Sequence, residues 1–162
     1  MGQMKRKDFA HYFDTSASDS LTPDWTLEGI GVEALSLSYN PQIDTFKQII
    51  DDVASSTFDS YQIQSSVSGK RIDKDDEIWK WLNEARKKAE SIETKMLEVN
   101  MASGTGSGTL SYEALQYNVL IVINEFLGED ATISYDVYVK GKPTVGSVTM
   151  TSGKPTFTES AD

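Results

Sequence analysis

Residues 73–90 (DKDDEIWKWLNEARKKAE) are the only stretch of this chain whose apolar positions keep a helical period for several turns. Ile78, Trp81, Leu82, Ala85 and Ala89, with Ile92 just beyond, recur at spacings of three and four, so they share one face about 100° wide. Asp73 stands where an N-cap belongs. Asp75, Asp76 and Glu77 fill the first turn and Arg86, Lys87 and Lys88 the last, which complements the helix dipole at both ends. A lone amphipathic helix has to lie on something, and the sequence on either side alternates with the period of two that marks strands. The expected fold is therefore mainly β, an antiparallel β-sandwich or barrel flanked by one α-helix, in a single domain over residues 1–162.

Taken in order, residues 1–23 read as an N-terminal arm carrying Phe9, Tyr12 and Phe13, followed by a Ser-rich loop. Residues 25–39 alternate in two pieces, Trp25 and Leu27, then Leu35, Leu37 and Tyr39, with Gly29 and Gly31 between them as a bulge or bend; Asn40-Pro41 ends the strand. Two extended pieces follow, separated by Ala54-Ser55-Ser56. In the second, Tyr61, Ile63, Ser65 and Val67 share one parity, so an inner face begins only there. The outer part, from Thr45 to Phe58, alternates weakly and shows no side to bury, which predicts a long hairpin over 42–60 projecting from the body. Residues 68–72 are read as its connection to the helix.

Beyond the helix, residues 94–101 place Leu97, Val99 and Met101 on one side, and SGTGSG at 103–108 is read as a flexible loop. Residues 114–126 set Leu115, Tyr117, Val119, Ile121 and Ile123 on one face, with Leu120, Val122 and Phe126 adding a second, the mark of a central strand. Residues 131–139 alternate again. Lys140-Gly141-Lys142-Pro143 is read as a turn from which residues 145–150 return as a hairpin, and residues 152–162 as a tail holding one last short strand near Phe157.

Tools for chemistry are scarce. The chain has no cysteine and one histidine, which removes disulfides, thiolate chemistry and multi-histidine metal sites. A Ser-His-Asp set would have to use His11 in the arm, where a surface or interface histidine is the simpler reading. No G-x-S-x-G, H-E-x-x-H, EF-hand or Walker pattern occurs, and GTGSG at 104–108 lacks the lysine and helix of a phosphate loop. The acidic runs 73–77 and 51–52 are accounted for by capping and by a solvated edge rather than by calcium. The expectation is no enzyme, no cofactor and no metal. Fifteen basic residues against 25 acidic give a net charge of −10, which opposes affinity for nucleic acid. No run approaches the roughly 18 apolar residues of a membrane helix, and the basic N-terminus leads into no apolar stretch, so neither a membrane span nor a secretory signal is expected.

The order of these parts resembles a known family. KRKDFAHYFDT at 5–15 is similar to an opening K-R-x-x-F-A-H-Y, and WTLEGIGVEALSLSYNPQIDTFKQIIDD at 25–52 to a pattern of an I-G-x-G-V-x-x-L-S strand, an N-P and a hairpin with paired acids. DSYQIQSSVSG, the helix DDEIWKWLNEARKK, the strand ETKMLEVNM, the stretch SYDVYVKGKPTVGSVTM and a closing PTFT follow in turn. Together they resemble the major tail tube protein of long, non-contractile-tailed bacteriophages of Gram-positive hosts, over essentially the whole chain. Each motif is short, and the likeness lies in their order and spacing. The short connection 103–111 departs from the pattern and implies that no extra outward domain is attached.

That resemblance implies six copies in a ring and rings stacked into a tube. The inner sheets would line a bore that holds the tape-measure protein and later the passing DNA, with tail tip and terminator proteins at the ends. It implies a virion protein that assembles in the host cytoplasm. Six copies of a −10 chain carry about −60, so a bore of that sign would let DNA slide without specific binding. On the projecting hairpin, Phe46, Ile49, Ile50 and Phe58 are the candidate contacts between subunits and rings. Asp44, Asp51, Asp52 and Asp59 are candidates for facing the lumen or for pairing with a neighbour's basic residues. The alternatives are that these residues cap the subunit's own core, or that the chain is the inner tube of a contractile tail or tailocin. A third is a monomeric β-sandwich binding module for carbohydrate or a host surface, with Trp79, Tyr112, Tyr135 and Tyr138 as its platform.

Overall fold

The computed structural model describes residues 2–16, 20–32 and 35–161. It is mainly β with one α-helix, its antiparallel main sheet nearly closed into a barrel. After a 3-10 turn at Arg6–Asp8, the strands are β1 (Phe9–Asp14), β2 (Trp25–Glu28), β3 (Pro41–Phe46), β4 (Ser55–Tyr61) and β5 (Gln64–Arg71). Helix α1 (Glu77–Lys88) precedes β6 (Ile92–Thr105), β7 (Ser111–Leu127), β8 (Thr132–Thr151) and β9 (Lys154–Glu159). The main sheet runs β2-β1-β6-β7-β8-β5, with β9 also on β8, while β3 and β4 form a two-stranded sheet of their own.

The middle of the main sheet is buried on both faces, and adjacent residues show it. Phe13, Met96, Tyr117 and Tyr135 belong to one core, which Ile78 and Leu82 of the helix complete; Tyr12, Leu97, Val99, Ala114 and Val148 belong to another on the opposite side. Strand β7 lies between β6 and β8, as its two apolar faces require. The helix sits on the first core. Trp81 packs its ring 5.9 Å from that of Phe13, while Trp79 stacks on Phe126 at 6.1 Å with the Arg86 guanidinium 4.2 Å over the same ring.

Several boundaries differ from the sequence reading. The N-terminal segment 1–23 is no arm throughout, since β1 pairs with both β2 and β6 and buries Phe13 completely. Its loop and the strand read over 25–39 extend into residues 17–19 and 33–34, outside the described residues; β2 itself spans four residues, and Ser38 rejoins the sheet by a bridge to Gln64. At Gly31 (φ +74°) a Cβ would meet the Arg71 carbonyl oxygen at 2.3 Å, so this bend needs glycine. The hairpin turn falls at 47–54 rather than at 54–56, because Ser55 and Ser56 pair with Phe46 and Thr45.

The helix begins at Glu77, not near residue 73. Asp76 is the N-cap, its side chain accepting from the Ile78 N–H, and the preceding acids fold into a turn in which Asp73 Oδ1 accepts from the Asp75 N–H. Residues 68–72 are no mere connection: β5 runs through them to Arg71, with a bulge between Val67 and Lys70 that sends Lys70 inward. Strand β6 continues to Thr105, through half of the segment read as a loop.

The largest departure is β8. The motif Lys140-Gly141-Lys142-Pro143 does not reverse the chain. Asn118 pairs with Lys140 and Gln116 with Thr144, so Gly141, Lys142 and Pro143 bulge opposite Tyr117 within one strand of 20 residues. Both halves of β8 pair with the same strand β7. On its other side the first half pairs with β5 and the second with β9, through a two-residue turn in which Ser152 and Gly153 both have positive φ. Residues 152–162 thus hold a paired edge strand rather than a loose tail.

Candidate assembly surface

The hairpin of β3 and β4 is built from residues that find no core. All its strand residues are exposed, and Ile43 stands opposite Phe58 in the ladder. At the turn, the Asp51 carboxylate accepts from the Gln48 N–H at 3.0 Å, and the Asp51 N–H donates to the Gln48 carbonyl at 3.0 Å, so the tip is shaped by its own acid. At the root, Asn40 adopts φ 42° and donates Nδ2–H to the Gln62 carbonyl, pinning the hairpin where it leaves the body.

Each candidate residue can now be placed. Phe46 and Phe58 are exposed, Ile49 is fully exposed at 103% and Ile50 at 83%. They do not cap the subunit's own core. Ile43, Val53 and Tyr61, which the sequence reading did not name as contacts, are exposed beside them. The aromatic end of this surface continues inward, with Phe58 4.7 Å from Tyr61 and Tyr61 5.6 Å from Tyr39, ring to ring. A cleft lined by Phe58, Tyr61, Ile63, Val139 and Pro143 lies under that root. Tyr61 shares the parity of Ile63 but is exposed, so the inner face starts at Ile63 and not at Tyr61.

Of the acids, Asp44, Asp52 and Asp59 are exposed and Asp51 is half-buried. Asp59 accepts from Ser60 Oγ at 3.0 Å, and among the described residues none of the four is within ion-pair distance of a basic side chain. Four carboxylates and an uncovered apolar surface share one hairpin, and the arrangement suits contact with another surface better than chemistry.

The polar interior lies elsewhere and was not legible as such. Lys70, Glu28 and Asp76 are buried together, Lys70 Nζ lying 2.6 Å from Glu28 Oε1 and 2.8 Å from Asp76 Oδ2. Tyr135 donates its hydroxyl to Glu28 Oε2 at 2.6 Å. Burial raises the Glu28 carboxyl above the ordinary glutamate value against the opposing pull of Lys70 and Tyr135, and burial likewise pushes the Tyr135 hydroxyl well up. Tyr135 is therefore a core residue. With Tyr112 half-buried and Trp79 packed on Phe126, the proposed sugar platform of Trp79, Tyr112, Tyr135 and Tyr138 is not brought together.

His11, expected at a surface or interface, is instead buried, with Nε2 3.0 Å from Glu98 Oε2 across the β1–β6 ladder. The acidic run at 73–77 is spent on the helix cap and on Lys70, and among the described residues no cluster of three or more histidine, aspartate or glutamate side chains is placed to hold a metal. No protein-family model matches the sequence, and no curated protein matches it.

Proposed function

We propose that this chain is a structural subunit that assembles with copies of itself, and that the assembly is a bacteriophage tail tube of stacked hexameric rings. The observation that carries the reading is the hairpin of β3 and β4. An isolated two-stranded hairpin is marginal in water, and apolar surface left exposed on one calls for a partner. Ile43, Phe46, Ile49, Ile50, Val53 and Phe58 supply that surface on an element that contributes nothing to either core.

The resemblance across residues 5–158 supports the particular assembly. In it, head-to-tail contacts that close by rotation give a ring, and the hairpin reaches to the next subunit or ring. The acidic balance fits a conduit through which DNA moves without being held.

The test is negative-stain microscopy of the purified chain across a concentration series, paired with light scattering. Rings or hollow tubes of uniform bore are expected from the wild type. The double variant Ile49→Asp, Ile50→Asp should remain a folded monomer at every concentration. Normal tubes from that variant, or a wild-type chain that stays monomeric at high concentration even with a nucleating tail tip added, would count against the reading.

A further inference from the structure

Lys70 reaches from β5 into a site closed to solvent, where its Nζ meets Glu28 Oε1 at 2.6 Å, the Ile30 carbonyl at 2.5 Å and Asp76 Oδ2 at 2.8 Å. The first two are hydrogen bonds. The third is close without being aligned as one, so the buried Asp76 Oδ2 has no hydrogen-bond partner. The other oxygen, Asp76 Oδ1, accepts from the Ile78 N–H at 3.0 Å in the first turn of α1. A primary amine touching one carboxyl, a second carboxylate on the same amine, and a backbone donor on the first carboxyl are the parts of an amide condensation, assembled away from water.

We propose that Lys70 and Asp76 join in an intramolecular isopeptide bond, formed by the folded chain itself with the Glu28 carboxylate as proton carrier. Glu28 takes a proton from the Lys70 ammonium and delivers it to Asp76 Oδ2, turning that carboxylate into an acid. The freed lone pair on Nζ attacks Cγ. The tetrahedral oxyanion develops on Oδ1, where the Ile78 N–H donates and the helix N-terminus favours negative charge. Glu28 then carries a second proton from nitrogen to Oδ2, which leaves as water. The Nζ–Cγ bond forms and the Cγ–Oδ2 bond breaks. Two of the three ammonium protons depart in the water, one stays on the amide, and Glu28 ends as it began. The step is redox-neutral and needs no co-reactant.

Tyr135 acts as a positioning residue, its hydroxyl holding Glu28 Oε2 so that Oε1 faces Nζ. The raised carboxyl of Glu28, caused by burial, suits a group that must take up and release a proton. Groups held in such contact react as though at concentrations of order 10⁵–10⁸ M, and the product removes an ion pair whose burial is unfavourable. The bond would tie β5 to the start of the helix at the point where the sheet closes. It does not depend on the assembly reading.

The experiment is intact-mass spectrometry of the purified, denatured chain, followed by tryptic digestion. The chain should be one water lighter than its sequence, with or without Met1, and digestion should release residues 48–71 joined to residues 75–80. The isosteric variant Glu28→Gln should have the full sequence mass while still unfolding cooperatively. A folded wild-type chain of full sequence mass, cut after Lys70 so that residues 48–70 and 75–80 are released separately, overturns the proposal whatever the variant does. Joined peptides in Glu28→Gln overturn the role given to Glu28.

Discussion

Lys70 Nζ lies 2.6 Å from Glu28 Oε1, and the two fully buried side chains come from β5 and β2, the strands at opposite ends of the main sheet. Ladder hydrogen bonding does not join these two strands. The charge contact spans the interval, beside a backbone bond from the Arg71 N–H to the Gly31 carbonyl. Asp76 adds the helix N-terminus to the same point, so one lysine gathers both sheet edges and the helix.

The pH dependence of stability should carry the signature of that burial. Glu28 has its folded pKa raised above the ordinary glutamate value of 4.5, first by desolvation. A carboxyl raised in this way contributes stability that is complete below 4.5 and is lost as pH rises through the folded pKa. Urea unfolding of wild type and Glu28→Gln between acid and neutral pH should therefore show the wild-type advantage shrinking as pH rises. The slope tests the assignment, and the constant offset does not. An advantage that grows toward neutral pH would mean that the favourable contacts of the Glu28 carboxylate outweigh its burial.

A stabilising substitution is available at the other end of the helix. Ala89 closes α1 in the left-handed conformation, φ 54° and ψ 44°, its N–H donating to the Ala85 and Arg86 carbonyls. An L-residue with a Cβ is strained there and glycine is not, so Ala89→Gly should stabilise the fold by about 0.5–1 kcal/mol and raise Tm by a few degrees. The same change inside a helix lowers stability. A lower Tm for this variant would show that residue 89 is helical in solution.

What could be read from the residues followed from how local the cause was. The helix face of Ile78 and Leu82 and the central strand around Tyr117 to Ile123 are written in the periodicity, since burial on one face or two leaves its mark on neighbouring positions. The hairpin showed itself by lacking such a mark. Lys140-Gly141-Lys142-Pro143 misled because turn residues serve a reversal and a bulge equally, and the choice depends on β7, which pairs with both sides. Lys70 gave no local sign of burial because its hydrogen-bond partners lie about 40 residues back, the Glu28 carboxylate 42 positions away and the Ile30 carbonyl 40, and only the fold brings Asp76 beside them. The helix start moved to Asp76 because several acids could cap it; in the structure the capping acid also meets Lys70.

Stability should also separate the hairpin from the core by magnitude. Ile49 and Ile50 are exposed and Leu82 is fully buried against the first core, yet all three are large aliphatic residues. Replacing Leu82 by Ala removes buried methyl groups and leaves a cavity, at a cost of about 2–5 kcal/mol. Replacing Ile49 and Ile50 by Asp removes apolar surface that water already covers, so the monomer should change by no more than about 0.5 kcal/mol for each substitution. Urea unfolding of the three chains under conditions that keep them monomeric makes the comparison. If the hairpin variant lost as much as Leu82→Ala, those isoleucines would be packing against their own subunit in solution. If it lost almost nothing while also failing to form tubes, the effect on assembly could not be attributed to a damaged fold.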